Sequence, residues 1–217
     1  MHFEILVEDA SGKIILDSVL KKILSLNIHK HSYTIHGYKG IGRIPKNLKR
    51  LSDPQKRILM NQLPGILRGY GRSLQHFQAT VVVVVDLDDR NCIEFKNEMT
   101  HIVNSCFPKP ETIFRIAIEE IEAWLLGDIQ AIKTAYPSAK DNILERYHQD
   151  SICGTWEILA DAIYHGGSKS LKQSGWPHIG IAKCEWARNI SPHMDVDSNQ
   201  SKSFQVFRDS IRNRLKI

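Results

Sequence analysis

The stretch from Val81 to Asn91, VVVVVDLDDRN, restricts the possible folds more than any other part of the chain. Five consecutive β-branched residues favour an extended strand, and the lack of alternation with polar residues means that both faces of that strand are covered. Strands buried on both faces belong to parallel sheets flanked by helices, which points to an α/β protein. The sequence then turns acidic at once. Asp86, Asp88 and Asp89 stand at the carboxyl end of the strand, where open α/β sheets bind their ligands. Asp86 and Asp88, two apart in an extended segment, point to one side, while Asp89 faces elsewhere or caps the next helix. Crowded carboxylates repel, and a divalent cation relieves the repulsion. A purely structural reading makes Asp88 or Asp89 a helix cap and Asp86 a loop residue.

The rest of the chain repeats the strand–helix alternation. HFEILV is a short strand ending in Glu8-Asp9, and KIILDSVLKKILSL carries a helical apolar stripe through Ile14, Leu16, Val19, Leu20, Ile23 and Leu24. HSYTIHGY is a second strand, followed by GYKGIGR, a flexible basic loop with Gly37, Gly40 and Gly42. Its glycine spacing is not the GxGxxG of dinucleotide sites. DPQKRILMNQLPGILRGYGRSLQHF supplies one or two helices, broken at Pro64-Gly65. After the valine strand a helix covers roughly residues 93–106, TIFRIAI alternates as a strand, and EEIEAWLLGDIQAIKTAY has the apolar spacing of one amphipathic helix. On that helix Trp124 falls on the apolar stripe and belongs to the core. The expected architecture is a mainly parallel sheet with helices on both faces over residues 1–136. A helical elaboration, residues 137–217, packs on it, and residues 189–203 are its most mobile loop.

Charge is unevenly spread. Between Asp17 and Asp86 the only acid is Asp53, while Lys21, Lys22, Lys30, Lys39, Arg43, Lys46, Lys49, Arg50, Lys56, Arg57, Arg68 and Arg72 share that interval. A basic segment beside an acidic site attracts phosphate backbones and brings them to carboxylates that hold a metal. Lys39, Arg43 and Lys46, on or beside the glycine loop, are the candidate nucleic-acid contacts. No apolar run reaches the length of a membrane span, and MHFEILVED lacks the basic-then-apolar order of a signal peptide, so a cytoplasmic protein is expected. Cys92, Cys106, Cys153 and Cys184 form no CxxC pair and read as reduced thiols.

Three strand ends carry acids: Glu8-Asp9, Asp86/Asp88/Asp89, and Glu119-Glu120 with Glu122. First-turn acids complement a helix dipole, which accounts for any one of these clusters alone. Hard oxygen ligands from three strands, without a His or Cys cluster, favour Mg²⁺ or Mn²⁺ over zinc. ILVED followed much later by VVVVVDLDD resembles the Toprim pattern of topoisomerases, primases and OLD-family nucleases, in which a strand-terminal Glu and a DxD pair bind metal. GYKG, VVVDLDDRNC, RIAIEEIEAWLLGD and SKSFQVF together resemble a narrower family of Toprim-like proteins of unassigned function, often encoded beside AAA or ABC-type ATPases and linked to anti-phage defence. ILVED is followed by Ala-Ser, where Toprim proteins usually have a glycine.

The resemblance implies a Toprim-like fold and Mg²⁺-dependent cleavage of nucleic-acid phosphodiesters, DNA or RNA, with a separate ATPase as partner. Toprim proper contributes Glu8, Asp86 and Asp88 as catalytic and metal-binding residues; Glu120 and Glu122, further candidate metal ligands, match with Trp124 only the narrower family. Two rivals remain. One is a catalytically silent Toprim-like module that binds nucleic acid or an ATPase. The other is a haloacid-dehalogenase-like phosphatase, whose nucleophile motif is also hhhhDxD, although Asp89-Arg90 departs from it. The chain has no P-loop of its own.

Overall fold

The computed structural model describes residues 1–24, 30–49 and 53–215. As the valine run requires, the molecule is α/β with a four-stranded, wholly parallel sheet. β1 (His2–Val7), β2 (Ser32–Gly37), β3 (Ala79–Asp86) and β4 (Thr112–Ala117) lie in the order β2-β1-β3-β4. The chain leaves β1 outward to β2, then crosses back to β3. The crevice between the carboxyl ends of β1 and β3 is therefore the switch point at which such sheets bind ligands. Val7 pairs with Val84, so Glu8 and Asp86 emerge beside one another.

Successive valines of β3 feed opposite layers. Val82 and Val84 join Phe3, Ile5 and Val7 against α1 (Ala10–Leu24), while Val81, Val83 and Val85 join Leu6 against α2 (Leu59–Ser73) and α3 (Cys92–Asn104). α2 is one helix despite Pro64-Gly65. Its buried stripe of Leu59, Met60, Leu63 and Leu67 holds it together across the one backbone hydrogen bond that Pro64 cannot make. Asn91, rather than Asp88 or Asp89, caps α3, its Oδ1 accepting from Ile93 N and Glu94 N.

The segment read as one helix after β4 is two, α4 (Glu122–Leu126) and α5 (Ile129–Ala135). Asp128 Oδ1 caps α5 by accepting from Ala131 N, and at Gly127 an added Cβ would stand 2.2 Å from Asn199 Oδ1. A tertiary contact from a distant segment breaks the helix, which its own periodicity does not show. The same contact ties down residues 189–203. Asn199 Nδ2 donates to Trp124 O, Gln200 N to Gly127 O, and Asp195 N to Asp128 Oδ2. That loop is anchored, not free.

α6 (Asp141–Leu144), α7 (Thr155–Ile163), α8 (Gly167–Ser174), α9 (Trp176–Ile190) and α10 (Lys202–Leu215) complete the chain. Their apolar faces merge with that of α1 into one continuous core. Trp124 is fully buried there, stacked on Phe207 at 5.0 Å and edge-on to Phe204 at 5.4 Å. Its indole N–H donates to Ser203 Oγ at 2.9 Å. Among the described residues no helix is long and apolar enough to cross a membrane. All four cysteines are free thiols.

Candidate metal centre

At the switch point Glu8 Oε2 accepts the backbone N–H of Asp86 at 3.2 Å. This bond crosses from the end of β1 to the end of β3 and fixes the two acids as neighbours. The Asp86 side chain is buried, and burial together with the adjacent Glu8 and then Asp9 holds its carboxyl well above the ordinary carboxylate range, against the pull of Lys183. Burial likewise raises Glu8, with Asp9 and Asp88 adding to it, to about 7. Asp88 takes a left-handed backbone, φ 51°, and its Oδ2 lies 3.4 Å from Arg90 Nη1, on the rim. Asp9 serves α1: its Oδ1 accepts from Gly12 N at 2.7 Å and its Oδ2 from Ser11 Oγ at 2.8 Å.

Glu120 and Glu122 reach the same crevice from the far side of β3 and are held by Lys183 of α9. The Lys183 ammonium lies 3.0 Å from Glu122 Oε2 and 3.7 Å from Glu120 Oε1. Ser11 Oγ, 3.1 Å from Glu122 Oε1, bridges this pair to Asp9. Glu122 is fully buried, and burial raises its carboxyl in spite of the ammonium. Burial raises Glu120 to about 8, with Lys183 opposing and Glu122 reinforcing. Burial alone would lower Lys183, but Glu122, Glu120, Asp86 and Asp9 outweigh it and push the ammonium up. Lys183 escaped the sequence reading. Its signal was a lysine set among Ile179, Ala182 and Trp186 on the buried stripe of α9.

Glu119 belongs to a different task. With φ 59° it turns away and accepts hydrogen bonds from the backbone N–H groups of Cys153, Gly154 and Thr155 and from the Thr155 hydroxyl, capping α7.

The glycine loop is fastened over this centre, contrary to the expectation of flexibility. Gly40 N donates to Glu8 O at 2.8 Å, while Leu59 N and Met60 N donate to Gly40 O and Ile41 O. Gly42, at φ 68°, has no room for a side chain, because a Cβ there would lie 2.1 Å from Ile58 Cγ2. Arg43 and Lys46 line a groove of about 570 Å³ together with Arg90, Met60 and Phe95. Lys39 is exposed at the start of the loop and is not part of that lining. Arg50 lies outside the described residues.

Does this set suit a divalent cation? Among the described residues no three Asp, Glu, His or Cys side chains stand ready as a cage. The chemistry nonetheless fits. Glu8 and Asp86 are neighbouring buried acids, Glu8 adding to the burial that raises Asp86, and Glu120 Oε2 is buried without a hydrogen-bond partner. Mg²⁺ is commonly held by one or two carboxylates, several waters and substrate phosphate oxygens, which Glu8 and Asp86 with Asp88 at the rim can provide.

Comparison with curated proteins and with solved structures gives no match. A family described as a domain of unknown function, DUF4276, matches residues 7–212, a span that includes the whole acidic crevice, its lysine and the glycine loop. By that match, over nearly all of its length, the chain belongs to the DUF4276 family.

Proposed function

We propose that the protein is a Toprim-like nuclease that cleaves nucleic-acid phosphodiesters with Mg²⁺ or Mn²⁺ held at Glu8, Asp86 and Asp88. The observation that carries this reading is the Glu8–Asp86 pair at the β1/β3 switch point, beside a groove with cationic residues. A bound cation would withdraw charge from the scissile phosphate and lower the pKa of an attacking water. The protein's own groups supply the rest. Glu8, poised at about 7, can take up or release a proton near neutral pH. Lys183 holds Glu120 and Glu122 and offsets the surplus of negative charge that would otherwise repel a phosphate. The resemblance to Toprim-like proteins encoded beside ATPases supports a separate ATPase as partner and a role in anti-phage defence, and the N-terminal pattern of MHFEILVED supports a cytoplasmic setting.

One observation favours the silent-module reading. Lys183 already pairs with two of the acids, so part of the set is satisfied without any metal.

The test compares wild type, Glu8→Gln and Asp86→Asn on DNA, RNA and a small phosphomonoester with Mg²⁺ or Mn²⁺, after circular dichroism has shown all three folded. The nuclease reading expects metal-dependent cleavage that falls at least ~100-fold in Glu8→Gln, since an amide accepts no proton and is a poorer cation ligand. Wild-type cleavage by folded Glu8→Gln would remove the mechanism. An aspartyl-phosphate on Asp86 would identify a phosphatase instead.

A further inference from the structure

We infer that the groove between the glycine loop and the start of α3 is a single-strand subsite, which seats one unpaired nucleotide next to the metal centre. The inference rests on the nuclease reading for its choice of ligand and deepens it by naming the form of the substrate. Four observations support it.

The first is size: about 570 Å³ lies inside the range of ~300–1,000 Å³ usual for small-ligand sites and suits one nucleotide. The second is the lining. Ile44 and Pro45, half-buried on the loop above the buried Met60 and Phe95, provide apolar surface, which a phosphate backbone does not need and the face of an unstacked base does. In a duplex that face is covered by its neighbours. The third is charge. Arg43 and Lys46 make the loop wall cationic, whereas the opposite wall mixes Arg90 with Asp89 and Glu98. A single cationic wall guides one backbone, and the acids opposite repel a second.

The fourth is Arg90. Its guanidinium lies over the Phe95 ring at 4.8 Å, which presents a flat cation on an aromatic support. Its buried Nη1 pairs with Asp88 Oδ2 at 3.4 Å. Arg90 thus stands between the groove and the rim acid of the metal centre. A strand lying in the groove meets, through Arg90, the rim acid Asp88. The loop is held in place to form the wall, since Arg43 N donates to Asn61 Oδ1 and Gly42 packs against α2.

The experiment is fluorescence anisotropy on the full chain in EDTA, so that binding is read without cleavage. The probes are labelled single-stranded DNA and single-stranded RNA of about 12 nucleotides and the blunt DNA duplex of the same sequence. At least one single strand should bind about 10-fold or more tighter than the duplex. In Arg43→Ala/Lys46→Ala, both exposed positions, that affinity should drop about 10-fold and the slope of log affinity against log salt should shrink by about 1.4. Equal or tighter binding of the duplex, or unchanged single-strand affinity in the double variant, overturns the subsite. Strand-indifferent binding with cleavage that depends on Glu8 removes the subsite and leaves the nuclease. A single-strand preference without any cleavage under Mg²⁺ or Mn²⁺ removes the nuclease and leaves the groove.

Discussion

Lys183 holds two acids, and what it neutralises depends on pH. A carboxylic acid whose folded pKa exceeds its unfolded value binds its proton more tightly when folded. Its contribution is complete below the unfolded value and is lost as pH climbs through the folded one. For Glu8 and Glu120 the window therefore runs from 4.5 to about 7 and about 8. Glu4 and Glu119 are lowered, by their hydrogen-bond partners against burial, and act below 4.5, outside this window. The metal-free protein should thus be more stable at pH 5 than at pH 8. Lys183→Met should steepen the fall, costing about 3–5 kcal/mol at pH 8, where it leaves charged buried carboxylates, and clearly less at pH 5. Urea unfolding at the two pH values reads both; equal stability of wild type at pH 5 and 8 would contradict the burial argument. Glu8 and Asp86 could be picked out from sequence because a strand end fixes where its next residue goes. Lys183 could not, because a buried lysine on a helix shows its purpose only when its acids, about sixty residues earlier, are placed opposite it.

Among the elements, strands and most helices followed from local pattern, since periodicity reports which face is buried. Two failures came where distant groups intervened, Asn199 at the break between α4 and α5 and the bonds that fasten the glycine loop; a third came from reading Pro64 as a break although the local apolar stripe carries α2 past it. The α7 cap is another such long-range device. Glu119 holds a left-handed backbone so that its carboxylate can close the N-terminus of a helix more than thirty residues on. Glu119→Ala should cost about 2–3 kcal/mol, the loss of a charged cap with several donors. A urea melt measures that loss. Metal-dependent cleavage per folded molecule should stay within about 3-fold of wild type, because Glu119 does not point at Glu8 or Asp86. A cleavage loss as deep as that of Glu8→Gln would place it in the centre.

At the scale of the whole molecule, the sheet and the later helices share one apolar interior. Phe204 and Phe207 cover Trp124, and α9 lies along α1. A chain cut after residue 136 should therefore lose cooperative unfolding and expose Trp124, read as a red-shifted fluorescence and a featureless near-ultraviolet spectrum. A sharp urea transition in that fragment would show an independent sheet domain. The same arrangement bears on how the protein is made. Synthesis proceeds from the N-terminus, so Glu8, Asp86, Glu120 and Glu122 all leave the ribosome before Lys183 does. Until α9 docks, Glu120 and Glu122 lack the ammonium that holds them in place beside the Glu8–Asp86 pair. On the nuclease reading proposed above, a polypeptide still attached to its own messenger RNA would have no completed centre with which to cut it until its last helices had closed.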